Sequence, residues 1–261
     1  MNLLDRYLRG EREQVWAELR ALGPIERGHA QYDDARGVAT ETMRRVRGNV
    51  EMVRVRLIDS GYQLAAQGRA HMPPDADAGA QLDAFERRHG PLPLSLRAFY
   101  EFVGTVDFMQ SAQQLVQWDK RENAPEPVSE LRYAGEYDPL VVGPLDHEDA
   151  EWDRKQGRHA WYLAPDECHK ANYSGGMNYH VLLPDNGADF RIYGMICNEE
   201  DQFGDWFVDY LRETFRGGGF RGGIAIDDDE VAGRELPDLA FTRRLAVGLQ
   251  EIGDERTTPE E

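Results

Sequence analysis

The residues best equipped for chemistry lie in one stretch, DECHKANYSGG, where Asp166, Glu167, Cys168, His169 and Lys170 are consecutive and His180 follows. Two chemistries suit such a set. A zinc site needs three or four ligands converging on one point. Adjacent Cys168 and His169 are poorly placed for that, because neighbouring side chains of extended chain point to opposite sides. No Cys-x-x-Cys or His-x-x-x-His pair completes the set, so neither a metal nor a cofactor is expected. The second chemistry is a Cys168 thiolate with His169 or His180 as base and Lys170 supplying a positive field. No family-type nucleophile signature surrounds Cys168. A small cysteine/histidine-dependent hydrolase or transferase is therefore the alternative reading rather than the main one.

The carboxylate runs offer less. DDDE at 227 to 230 and HEDAEWD at 147 to 153 read as solvated loops, since acid/base pairs need a sheltered carboxylate. The remaining eye-catching segment is TFRGGGFRGG, residues 214 to 223. A phosphate-binding loop would need Gly-Lys-Ser/Thr between a strand and a helix, and a dinucleotide fingerprint needs the same context. This stretch has no lysine and follows a helix-like pattern instead. It is expected to be a helix exit, with Gly217 or Gly218 left-handed and Phe215 and Phe220 anchored in the core.

The elements that must carry these residues follow from periodicity. Leu4, Leu8, Val15, Leu19 and Leu22 share one side of a helix that Gly23-Pro24 stops. Met43, Val46, Val50, Val53 and Leu57 form a second apolar stripe, with Gly61 just past its end and Asp33 or Asp34 as a candidate cap. Together they predict an N-terminal helical hairpin over residues 1–70. The second helix also carries Arg44, Arg45, Arg47, Arg54 and Arg56, expected to pair with acidic groups or to meet water. AQGRAHMPPDADAGA, residues 66 to 80, reads as a connection to a second domain over 71–261. There, AGAQLDAFERRHG and PLPLSLRAFYEFVG read as helices. PLVVGPL, HAWYLAP, YHVLLP and DFRIYG read as short strands, DWFVDYLRETF as a helix, and LAFTRRLAVGLQEIG as the last one. Strands without long helices between them predict an α+β class with an antiparallel sheet flanked by helices.

Of 261 residues, 48 are acidic and 30 basic, a formal charge of −18. Residues 1–70 carry +2 and residues 71–261 carry −20. Such a surface disfavours nucleic acid and anionic membrane and attracts basic partners, more weakly as salt rises. No apolar run approaches the roughly 18 residues of a membrane span. Charges interrupt the opening MNLLDRYLRGER, so no secretory signal is expected. Cys168 and Cys197 are then reduced thiols in a cytoplasmic protein.

The order of these stretches resembles the SUKH superfamily, the Smi/Knr type of fold. The likeness rests on Glu86, Gly90, Leu92, Pro93, Leu96, Phe99, Tyr100, Gly104, Asp107 and Phe108, then on Phe207, Tyr210, Leu211, Arg212, Phe215, Gly218, Gly219 and Phe220. It implies a structural signature in Pro93, Gly104, Asp107, Gly218, Gly219 and Phe220, and a protein-binding module rather than an enzyme. Bacterial members of that family are associated with immunity against polymorphic toxins, many of them nucleases, and fungal members with regulatory scaffolding. No catalytic residue is carried over from it. The N-terminal helices lie outside the common core and leave room for a regulatory role. Joined to the charge argument, the resemblance puts a basic partner protein at Asp201, Asp205, Trp206 and Asp209, on and just before the acidic helix.

Overall fold

The computed structural model describes residues 1–111, 131, 134, 137–148, 157–171, 178–195, 203–222 and 240–254. Among them the chain is α+β, with helices around two antiparallel sheets. The N-terminal region is helical as the periodicity predicts, but its first helix is broken. Helix α1 (Leu3–Leu8) and α2 (Arg12–Ala21) are separated at Gly10, where φ is +109°. The break turns Tyr7 into the core and leaves Leu8 outside. Asp34 does cap a helix, though not its own: its carboxylate accepts the Leu3 and Leu4 amides at the start of α1.

Helix α3 (Tyr32–Asp59) buries an unbroken stripe from Ala35 to Leu57. Two polar residues in that stripe are satisfied locally. Thr42 donates to the Val38 carbonyl and accepts from the Trp16 indole. Asn49 grips the Gln250 peptide, donating to its carbonyl at 2.9 Å and accepting from its amide at 2.6 Å.

The stretch expected to be a linker or exposed connection is mostly exposed, yet part of it pairs into a sheet. It holds a 3-10 turn at Gln67–Arg69 and strand β1 (His71–Met72), which pairs with β2 (Thr105–Asp107), and β2 with β3 (Val141–Val142). Helices α4 (Ala78–His89) and α5 (Leu94–Phe102) lie between β1 and β2. The second sheet has the order β4 (His159–Pro165), β5 (Asn178–Leu183), β6 (Arg191–Tyr193), β7 (Phe203–Trp206), with helix α6 (Glu167–Lys170) between β4 and β5. Helix α7 (Phe207–Arg216) follows β7 directly, and α8 (Ala240–Ala246) lies near the carboxyl end. Three of the four expected strands in this half lie in the second sheet; Val141–Val142 joins the first.

One apolar cluster runs from Leu3 to Ile252 and crosses the division expected at residue 70. The hairpin also binds the carboxyl end. Arg56 donates to the Leu245 and Val247 carbonyls, Arg12 to that of Gly253, and Asp254 accepts the Arg12 and Glu13 amides at the start of α2. Other arginines of α3 also make contacts within the chain, Arg45 with Glu41, exposed Arg47 with Glu51 and exposed Arg44 with the Phe102 ring. No described helix is long and apolar enough to cross a membrane.

The glycine segment behaves as a close-packed exit from α7. Gly218 has φ +68°, and a Cβ there would lie 2.3 Å from the Thr242 carbonyl oxygen and 2.8 Å from Leu245 Cβ. At Gly219 a Cβ would meet Val53 of α3 at 2.8 Å. Phe220 is buried between the rings of Tyr62 and Phe241. Gly218→Ala combines a left-handed backbone with a clash against α8, so a loss of about 2 kcal/mol is expected in urea unfolding.

Candidate functional site

Helix α2 ends beside a cleft of about 430 Å³ that opens between Pro24, the loop before β6, and β7. Its inner wall is the Arg20 guanidinium, which makes four hydrogen bonds. Arg20 Nη1 and Nη2 donate to the two oxygens of Asp209, each at 2.9 Å. Its Nε and Nη2 donate to Asp189 Oδ2 at 3.1 and 2.8 Å. The guanidinium carbon sits 5.0 Å from the centroid of the Trp206 ring. The Asp189 side chain has 0% exposure, that of Asp209 30% and that of Arg20 13%. A planar ion held by two carboxylates and an aromatic face is the arrangement that distinguishes Arg from Lys. Further out, Arg191 lies 5.8 Å above the Phe203 ring, and Arg158 pairs with Asp185 at 3.3 Å.

This geometry alters the reading of the acidic helix. The helix begins at Phe207, because residues 203–206 are strand β7. Asp205 and Trp206 are therefore consecutive strand residues and diverge: Asp205 pairs with Arg221 at 2.5 Å, whereas Trp206 faces Arg20. Asp209 is engaged by Arg20 and, at 2.7 Å, by Arg212. Trp206, which lines the cleft, and Asp209 come together on Arg20, and Asp205 does not join them. Asp201 lies outside the described residues.

The signature residues hold backbone in place. Pro93 caps α5, whose first amides donate to the Gly187 and Ala188 carbonyls. A Cβ on Gly104, where φ is +90°, would strike the Met72 carbonyl oxygen at 2.1 Å. Asp107 accepts the Met109 amide.

A second polar cluster is sealed. Lys170 Nζ lies 2.5 Å from Asp138 Oδ1, with the two side chains 0% and 3% exposed. The ammonium also donates to Tyr210 at 3.3 Å and lies 4.8 Å from the Tyr179 ring centroid. Burial alone would lower the Lys170 pKa, but the charge of Asp138 and the Tyr210 hydroxyl raise it above the usual lysine value. Asp138 has φ +48°, an uncommon setting that Asp tolerates better than most residues. Residues 137–140 hold it there by bonding to 219–222: the Leu140 amide donates to Gly219, and the Arg221 amide to Asp138. The glycine segment thus positions a buried carboxylate under Lys170. Lys170 stood out in the sequence only as a neighbour of Cys168; nothing local marks Asp138 as its partner.

Cys168 is half-buried in the single turn of α6, which Asp166 caps through the His169 amide. Burial, with Asp166 and Glu167 nearby, pushes its thiol up to about 11. A thiol so placed is protonated near neutral pH, the opposite of an activated nucleophile. Among the described residues no histidine hydrogen-bonds to Cys168, and no group of three or more His, Cys, Asp or Glu is placed to hold a metal ion.

No family model, curated protein or solved structure matches this chain. The functional reading therefore rests on its own residues.

Lys170→Met leaves Asp138 as a bare buried charge and is expected to cost about 3–5 kcal/mol in urea unfolding. Lys170→Met with Asp138→Asn removes both charges and should recover part of that loss. Because the folded-state pKa of Lys170 is raised, its contribution is complete below the unfolded lysine pKa, about 10.4, and fades as pH rises through the folded value. Wild-type stability should therefore fall more steeply than that of the double variant in unfolding curves above about pH 10.

Proposed function

We propose that the chain is a non-enzymatic protein-binding module of the SUKH type whose partner presents a basic surface. The observation that carries this reading is the meeting of half-buried Trp206, which lines an open cleft, and half-buried Asp209 on the one guanidinium of Arg20, on the part of the chain with charge −20. Tryptophan contributes disproportionately at interfaces, and acidic surroundings raise the encounter rate with a cationic partner. A nuclease toxin fits the partner's description, since it must offer a basic face to nucleic acid. An immunity protein neutralising such a toxin and a regulatory scaffold acting in the cytoplasm are the two forms the resemblance suggests. The charge pattern supports both equally. The protonated Cys168 thiol favours binding over the cysteine/histidine-dependent hydrolase or transferase.

The experiment is affinity capture by the full chain from its native host at low and high ionic strength. Each captured protein is then purified and titrated against the full chain by calorimetry. Basic proteins whose affinity falls as salt rises are expected. Capture of acidic proteins alone, or affinity indifferent to salt, would remove the electrostatic basis of the reading. Cys168→Ser is expected to leave the measured affinity unchanged.

A further inference from the structure

We propose that Asp189, Asp209 and Trp206 form a guanidinium-binding socket, occupied in cis by Arg20, into which an arginine of the partner exchanges. The inference rests on the protein-binding reading above and names the chemistry by which that site recognises its partner. The socket holds a planar ion with four hydrogen bonds: a fork from Asp209 meets both terminal nitrogens, Asp189 accepts from Nε and Nη2, and the Trp206 face lies beneath. An ammonium has neither the plane nor the fork to reproduce these contacts. Its occupant is the side chain of a helix end rather than the helix itself. The anchors of α2 are Val15, Trp16 and Leu19, all fully buried, while Arg20 sits one residue before the last position of the helix and lines the open cleft.

Arg20 can thus swing into the cleft without α2 leaving the core. A partner's arginine entering by the same cleft replaces one guanidinium with another, so Asp189 keeps a cation in both states. That matters because an uncompensated carboxylate at full burial would block any simple opening. Tethering gives Arg20 a high effective concentration at the socket. A free arginine competes poorly against it, and a partner must add other contacts to win. The device thereby favours a surface that carries arginine amid further complementary groups and discriminates against basic surfaces built on lysine.

The test titrates the full chain and its Arg20→Ala and Asp209→Asn variants with an oligo-arginine peptide and an oligo-lysine peptide of equal length. Arg20→Ala removes the cis competitor, so its affinity for oligo-arginine should rise at least about tenfold over wild type, with a smaller change for oligo-lysine. Asp209→Asn, which leaves the Arg20–Asp189 contact in place, should erase the preference for arginine. Thermal melts supply an independent arm: millimolar methylguanidinium should raise the melting temperature of Arg20→Ala and not that of wild type, while methylammonium should raise neither. Equal gains for both peptides, or no methylguanidinium effect on folded Arg20→Ala, would overturn the socket. If Arg20→Ala does not fold, loss of arginine preference in Asp209→Asn decides the matter, and an unchanged preference overturns the proposal. Should a basic partner bind the chain with no response to the Arg20 or Asp209 variants, the socket fails and the protein-binding reading stands. Should methylguanidinium rescue Arg20→Ala although no basic partner is found, the socket stands and that reading fails.

Discussion

Asp189 has no exposed side-chain surface, and a carboxylate there must be answered by donors and a cation or lose its charge. Three elements answer it. The Ser95 hydroxyl donates from the first turn of α5 at 2.8 Å, Arg20 reaches across from the end of α2, and the Val208 amide approaches at 3.4 Å from the start of α7. The loop that carries Asp189 also receives the first amides of α5 on the Gly187 and Ala188 carbonyls. One buried charge therefore fixes where the N-terminal helices, the second sheet and α7 meet. The aromatic packing around it follows, with Phe190 stacked on Phe207 at 5.0 Å and Phe207 edge-on to Phe99 at 5.5 Å.

The same logic recurs at Lys170 and Asp138, with a different purpose. Both charges are sealed, so the pair can bind nothing from solvent and serves to specify which segments lie together. It joins α6, the 137–140 segment and Tyr210 of α7, and the glycine exit from α7 is the backbone on which Asp138 is held. At Arg20 the burial is incomplete and the cleft is open. The two buried ion clusters thus differ both in their cation and in their access to solvent.

Charge arithmetic is similarly reshaped by folding. The excess of acid in residues 71–261 is real, yet the individual carboxylates expected to present it are partly consumed: Asp209 by Arg20 and Arg212, Asp205 by Arg221. The arginines of α3 are consumed in turn by Glu41, Glu51, the Phe102 face and the carbonyls of the 245–253 segment. Net charge sets long-range attraction. It does not say which side chains remain available for contact.

What the sequence determined by itself is what depends on near neighbours. The apolar stripe of α3, the strand HAWYLAP, the helix stop at Gly218 and the inward Phe215 and Phe220 follow from local period and from backbone freedom, and each stands where the pattern puts it. The break between α1 and α2 was less legible, because Leu4, Leu8 and Val15 keep helical spacing across Gly10. Strand β1 hid in a stretch whose prolines and small residues read as linker, since two residues of strand carry no period of their own. Only the tertiary structure decided the site. Arg20 meets Asp189 across 169 positions and Asp209 across 189, and Lys170 meets Asp138 across 32. Contacts at such separations arise from how apolar faces pack, and no local pattern of charge encodes which cation will meet which carboxylate once they are brought out of water.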